Sequence, residues 1–198
     1  MLSGAAVILG LTLIVSLIGL FGPPTLIERW VLRPYLLLRQ RQFDRLISSG
    51  FVHADLGHLI FNLLTFYFFA FPLERRIGTL KFMLLYFIGL LVSSVGTYFK
   101  HRDNPDYATL GASGAISAVL FASIVYFPDQ SIFIIPIPVP IPAPLFAVGY
   151  LAYTYYSARQ TKGRINHDAH LGGALSGLAF VLLTEPSAYA TLFRMISG

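Results

Sequence analysis

Charged side chains fall in clusters along this chain, and the stretches between them are apolar for about the thickness of a bilayer. Residues 1–27 carry no charge and have an apolar centre at Gly4–Phe21. Five further runs follow. They cover 56–73, ended by Glu74-Arg75-Arg76; 82–99, framed by Lys81 and Lys100; 107–128, closed by Pro128-Asp129; a stretch within 142–158, ahead of Arg159; and about 169–184, closed by Glu185-Pro186. A spanning helix needs roughly 20 predominantly apolar residues. The pattern therefore predicts six transmembrane helices in an all-α polytopic bundle, with residues 1–198 as one membrane domain. The first run lacks the basic start and small-residue cleavage site of a signal peptide. Gly22-Pro23-Pro24 follows it instead, so it reads as a retained helix.

Two connections depart from the pattern. The first, about 22–55, mixes Arg with Leu, Tyr and Trp, which suits a segment lying in the membrane interface. The second, 135–144, alternates Pro with apolar residues. Proline removes the backbone donors a helix needs, so this run is expected to be an extended linker.

Composition narrows the class. Only 12% of the 198 residues are charged, where a soluble domain carries about 25%. Hydrophobic residues make up 56%, with 17 Phe and 11 Tyr. This excludes both a soluble globule and a disordered chain. The net charge of +5 sits in the gaps between apolar runs, so membrane lipids rather than nucleic acid are the expected partner. There is no Cys, hence no disulfide and no thiolate chemistry. Ten of the 14 Lys and Arg lie in the first, third and fifth loops. Taken literally, that places those loops in the cytoplasm, although half of the ten belong to the long first connection.

The informative polarity lies inside the spans. His58 and Asn62 open the second run, four residues apart and so on one helical face. Gly111-Ala112-Ser113-Gly114 lies near the start of the fourth. His167-Asp168-Ala169-His170 opens the sixth, followed by Gly172-Gly173 and Gly177. With six spans, the second, fourth and sixth enter the bilayer from the same side. His58, Asn62, Ser113 and His170 are thus expected at similar shallow depth. His170, Gly173 and Gly177 share a face, and small residues let membrane helices approach closely. If the fourth span is that neighbour, the Ser113 hydroxyl and His170 imidazole come within reach.

A serine beside an imidazole is the minimal unit of nucleophilic acyl transfer. The base takes the hydroxyl proton and later returns it to the leaving amine. His58, Asn62 and the Ser113 N–H could donate to the tetrahedral oxyanion. Gly111 and Gly114 leave room around the serine. His167-x-x-His170 with Asp168 could in principle hold a metal, but H-E-x-x-H is absent. No metal and no cofactor are expected.

Four ordered motifs resemble those of the rhomboid family of intramembrane serine proteases. They are His53-Ala54-Asp55-Leu56-Gly57-His58-Leu59-Ile60-Phe61-Asn62; Glu74-Arg75-Arg76; Gly111-Ala112-Ser113-Gly114; and Ala169-His170-Leu171-Gly172-Gly173-Ala174-Leu175-Ser176-Gly177. The resemblance implies Ser113 as nucleophile and His170 as general base. It implies His58, Asn62 and the Ser113 N–H as the oxyanion site. It also implies transmembrane proteins as substrates, and a bacterial inner membrane with both termini cytoplasmic, against the literal loop count. Two departures stand out. Ser117 occupies the position four after the serine, where many relatives carry an aromatic that stacks on the histidine. Asp44-Arg45 replaces a Trp-Arg pair. Glu74, Arg75 and Arg76 are expected to be structural or interfacial, and His53 and His167 to be polar residues at helix mouths, a supporting catalytic role being the alternative. Two rival readings are a rhomboid-like binding factor or chaperone without catalysis, and a small transporter with His58 and His170 in a proton path.

Overall fold

Helix α1 (Gly4–Phe21) follows the first apolar run from end to end. The Ser3 hydroxyl caps it by accepting from the Ala6 N–H at 3.3 Å. The computed structural model describes residues 3–134, 137–160 and 165–197; within 135–144, Ile135 and Pro136 lie outside the described residues. The next long helices are α5 (Leu56–Ile77), α6 (Thr79–His101), α7 (Ser113–Tyr126), α8 (Ala143–Ala158) and α9 (His167–Thr184). Each stands on one of the expected spans. A short helix, α10 (Ala188–Ser197), then turns back at 112° to α9. The Tyr189 hydroxyl, donating to the Leu178 carbonyl at 2.7 Å, fastens it there.

Among the described residues, α1, α5 and α6 each meet the length and hydropathy of a membrane span, and α9 does so when joined to α10. The outer faces of α1, α5 and α6 carry exposed Leu11, Ile14, Phe61, Phe68, Leu84 and Phe99. So much apolar surface around a separate buried core is a lipid-facing surface. The protein is an all-α polytopic membrane bundle.

The bundle is organised around α7, which is buried from Gly114 to Val125. Its 14 residues reach about 21 Å, short of a hydrocarbon core about 30 Å thick. The expected fourth span of 107–128 therefore needs correction. Thr109 pairs with Leu32 in an antiparallel bridge, and Gly111 has φ +114°, a conformation that breaks the run and that other residues rarely adopt. Helix α7 consequently begins only at Ser113.

The first connection folds into α2 (Pro24–Trp30), α3 (Pro34–Arg39), α4 (Arg45–Ser48) and a 3-10 turn, Ser49–Phe51. It holds the segment ahead of Ser113 through Leu32–Thr109 and through Gly111 N–H donating to the Ser49 carbonyl at 2.9 Å. Arg45, in place of the expected pair, donates to the Val31 carbonyl. Of the proline-rich run, 137–142 is extended as expected but paired rather than a free spacer, and its last two residues, Ala143 and Pro144, already open α8. Strand β2 (Ile137–Pro142) pairs antiparallel with β1 (Ser131–Ile134). Alternate prolines suit a two-stranded edge, where every second residue needs no donor.

Helix α5 runs through Pro72 and on past residue 73 over the Arg75-Arg76 pair. The Glu74 carboxylate accepts from the Gly4 N–H at 2.7 Å, the Ala5 N–H at 3.1 Å, the Thr79 hydroxyl at 2.8 Å, and the Ser3 hydroxyl. A carboxylate satisfying the free donors at a helix N-terminus also complements its dipole. Glu74 thereby ties α1 and α6 to α5. Arg76 pairs with Glu185 at 2.7 Å beyond α9.

Candidate active site

Three helix starts meet on one side of the bundle. Asp55 caps α5, its carboxylate accepting from the His58 N–H at 2.8 Å, which fixes His58 in the first turn. The His58 ring packs against Gly111; a Cβ there would lie 2.7 Å from the ring carbon Cε1. Gly111 is thus required both for its backbone angle and for its lack of a side chain. Asn62 follows one turn deeper, and its amide donates to the His58 carbonyl at 2.9 Å. One N–H of that amide is engaged within its own helix, and the second is the one free to donate elsewhere.

Ser113 is the first residue of α7. The N–H groups of its first turn have no acceptor within the helix. Immediately after it, Gly114 lies against α9. A Cβ on Gly173 would stand 2.8 Å from the Gly114 carbonyl carbon, and one on Gly177 would stand 2.9 Å from that of Ala118. The two backbones therefore touch through the G-x-x-x-G pair, as the small-residue pattern anticipated. His170 lies three residues before Gly173 on this face of α9.

Asn166 aligns the two sides, and sequence reasoning passed over it. Its carbonyl oxygen caps α9 by accepting from the Ala169 N–H at 3.0 Å. Its amide donates to the Thr97 hydroxyl at 2.9 Å and the Thr109 hydroxyl at 3.2 Å. One side chain thus links the start of α9, the end of α6 and the strand-like segment before Ser113. An Asn just ahead of an apolar helix is a readable N-cap signal; its reach to Thr109 is not. Lys100 strengthens the same corner, binding Asp168 at 2.8 Å and the Ala158 carbonyl.

His53 differs from its expected place. It is fully buried rather than at a helix mouth. The Ser16 hydroxyl donates to the Phe51 carbonyl at 2.8 Å, so it accepts from His53 Nδ1–H, also at 2.8 Å. The ring meets His58 edge-on at 4.8 Å between centroids. Burial, reinforced by the neighbouring His58, pushes the His53 imidazole down to about 3, so it braces His58 in the neutral form. His167 stands at the opening of α9, 6.0 Å from the His170 ring. Among the described residues, no three His, Asp or Glu side chains converge on a point where a metal could sit.

Neither nitrogen of the His170 ring hydrogen-bonds Ser113; the contact between them is through the helices that carry them. Apo catalytic pairs are often longer than their working distance.

Residues 40–186 match the Rhomboid domain family, a span that includes every candidate residue above. The chain belongs to the rhomboid family. It is 32% identical over 149 residues to RHOMBOID-like protein 12, mitochondrial, of Arabidopsis thaliana, covering 65% of this chain and 43% of that one. It is 34% identical over 147 residues to the human presenilin-associated rhomboid-like protein, mitochondrial, covering 69% of this chain and 36% of the other. It is 40% identical over 72 residues to YdcA of Bacillus subtilis, covering 36% and 35%. The rhomboid match thus spans less than half the length of these relatives. Two of the three carry mitochondrial names, so the expectation of a bacterial inner membrane draws no support from them. That the protein is integral to a membrane rests on its helices and its family.

Proposed function

We propose that this rhomboid-family chain, as a single membrane domain over 1–198, is an intramembrane serine endopeptidase that cuts transmembrane segments of other membrane proteins. Ser113 is the nucleophile and His170 the general base. The observation that carries this reading is the backbone contact of Gly114 with Gly173, which faces the serine helix onto the histidine helix with His58 packed on Gly111 beside them.

Chemistry follows from the arrangement. His170 takes the proton of the Ser113 hydroxyl as its oxygen attacks the scissile carbonyl carbon. The resulting oxyanion accepts hydrogen bonds from the Ser113 N–H, the His58 ring and the free N–H of Asn62. His170 then gives its proton to the leaving amine and the C–N bond breaks. Water, activated by the same imidazole, releases the acyl group. A site opening partway down a membrane helix suits a substrate helix that unwinds near the surface. A peptide bond inside an intact lipid-facing helix is shielded. Both termini are placed in the cytoplasm on this reading, and lipids surround the outer faces.

A rhomboid-like binding factor without catalysis is the second reading. It draws on the absence of a Ser113–His170 hydrogen bond. Cleavage of a reporter transmembrane protein in liposomes separates the two. Wild type should cut it, and Ser113→Ala and His170→Ala should not. Cleavage that persists in either variant would sink the dyad, and none by wild type in any lipid would favour the binding factor.

A further inference from the structure

Among the described residues, no hydrogen bond orients the His170 imidazole. Its backbone N–H caps into α9 by donating to Asn166, and its ring is held by other rings. Tyr150 of α8 lies nearly parallel to it, with an interplanar angle of 20° and 6.4 Å between centroids. That distance is within the range of offset aromatic packing. The Tyr150 ring is itself fixed on its remaining sides. Phe146 stacks on it at 5.6 Å and Phe121 of α7 tilts against it at 5.5 Å. The Tyr150 hydroxyl lies 3.3 Å from that of Ser117, one turn beyond Ser113. Ser117 is buried, so a small polar residue there gives the phenol both room and a partner.

The arrangement repeats one turn away. Tyr153 meets His167 edge-on at 5.3 Å. Residues three apart share a helical face. Two tyrosines of α8 thus face two histidines of α9 in antiparallel order, Tyr150 with His170 and Tyr153 with His167.

We propose that Tyr150 is the positioning residue of His170: α8 supplies the aromatic platform for the imidazole, and Ser117 anchors that platform to the helix carrying Ser113. This rests on the proteolytic reading of the site. It assigns to α8 a part in the chemistry that the four sequence motifs do not touch. The ring, rather than the hydroxyl, is the working element, because it is the ring that faces the imidazole.

The test measures kcat and KM for a reporter transmembrane substrate in liposomes, with thermal unfolding of each variant alongside. Tyr150→Phe keeps the platform and should retain kcat within about threefold. Tyr150→Leu fills much of the volume without a ring and should lower kcat about tenfold or more, with KM within about twofold, as expected for a misaligned base. Tyr150→Met, flexible enough to refill the site, gives the same ring-free comparison should Tyr150→Leu not fold. A ring-free variant with wild-type kcat would overturn the proposal, as would Tyr150→Phe falling as far as the ring-free variant. Cleavage that survives Ser113→Ala would instead overturn the proteolytic reading, whatever the Tyr150 variants do.

Discussion

Adding one methyl group at Gly173 should separate the two helices that carry the candidate dyad. The new Cβ would run into the Gly114 carbonyl oxygen, its nearest neighbour, and would lie 2.8 Å from the carbonyl carbon and 3.1 Å from Cα of the same residue. Carbons in contact prefer about 3.5–4.0 Å, so α9 must withdraw by roughly 1 Å. All three obstructing atoms are backbone, and no rotamer change relieves them. Gly114 follows Ser113 directly, and His170 shares the face of Gly173, so the withdrawal passes almost undiluted to the serine–imidazole separation. A misplacement of about 1 Å can cost about 100-fold in rate, while overpacking costs about 1–3 kcal/mol of stability. Gly172→Ala is the matched control. Its Cβ would meet Ser93 Cα at 3.5 Å, an ordinary contact, and alanine is favoured over glycine within a helix by about 1 kcal/mol. The assay is the initial rate of reporter cleavage in liposomes, with thermal unfolding of both variants. Gly173→Ala with wild-type kcat, or Gly172→Ala losing as much, would refute the close-contact argument.

Other consequences are more local. Glu74→Ala removes the acceptor of two backbone N–H groups and two hydroxyls and should cost about 3 kcal/mol, measured by thermal unfolding in detergent. Arg76→Ala breaks the partly exposed pair with Glu185 and the contact of the guanidinium over the Tyr126 ring and should cost under about 2 kcal/mol, so a loss equal to that of Glu74→Ala would contradict the capping role of Glu74. His53 is pushed from 6.5 to about 3, so it must stay neutral in the folded state. Its contribution is complete above pH 6.5 and is lost as pH falls toward 3, by about 1.4 kcal/mol per unit. The Glu185 carboxyl, held below its usual range by the hydrogen bond from Arg76, adds to acid sensitivity only below about pH 4.5. His53→Phe should therefore flatten the stability profile between pH 6.5 and 4.5, and an unchanged slope there would argue against a neutral buried imidazole.

What could be read from the sequence depended on how local the cause was. Helix α1 was fully legible, because an uninterrupted apolar run has no other use in a chain this poor in charge. The shared face of His170, Gly173 and Gly177 was legible for the same reason, since helical period alone sets it. The start of α7 was not. Residues 107–112 are free of charge, and that property does not distinguish helix from extended chain; the break comes from the positive φ at Gly111 and the pairing of Thr109 with Leu32. The end of α5 was misplaced because Glu74-Arg75-Arg76 looks like a loop, whereas Glu74 is occupied in capping α1. The prolines of β2 correctly excluded helix, but pairing with β1 depends on a partner strand that proline content does not announce. Tyr150 was out of reach altogether. Its part arises from which helix lies beside α9, and one apolar helix with several tyrosines offers no local sign of that neighbour.

The central claim is that Ser113 is an activated nucleophile beside His170. A serine-directed fluorophosphonate probe, applied to the protein in liposomes, tests this without knowledge of the substrate. Covalent labelling of wild type at Ser113 is expected, with none of Ser113→Ala and strongly slowed labelling of His170→Ala. Equal labelling of wild type and Ser113→Ala, or an unreactive wild type in every lipid composition, would contradict it.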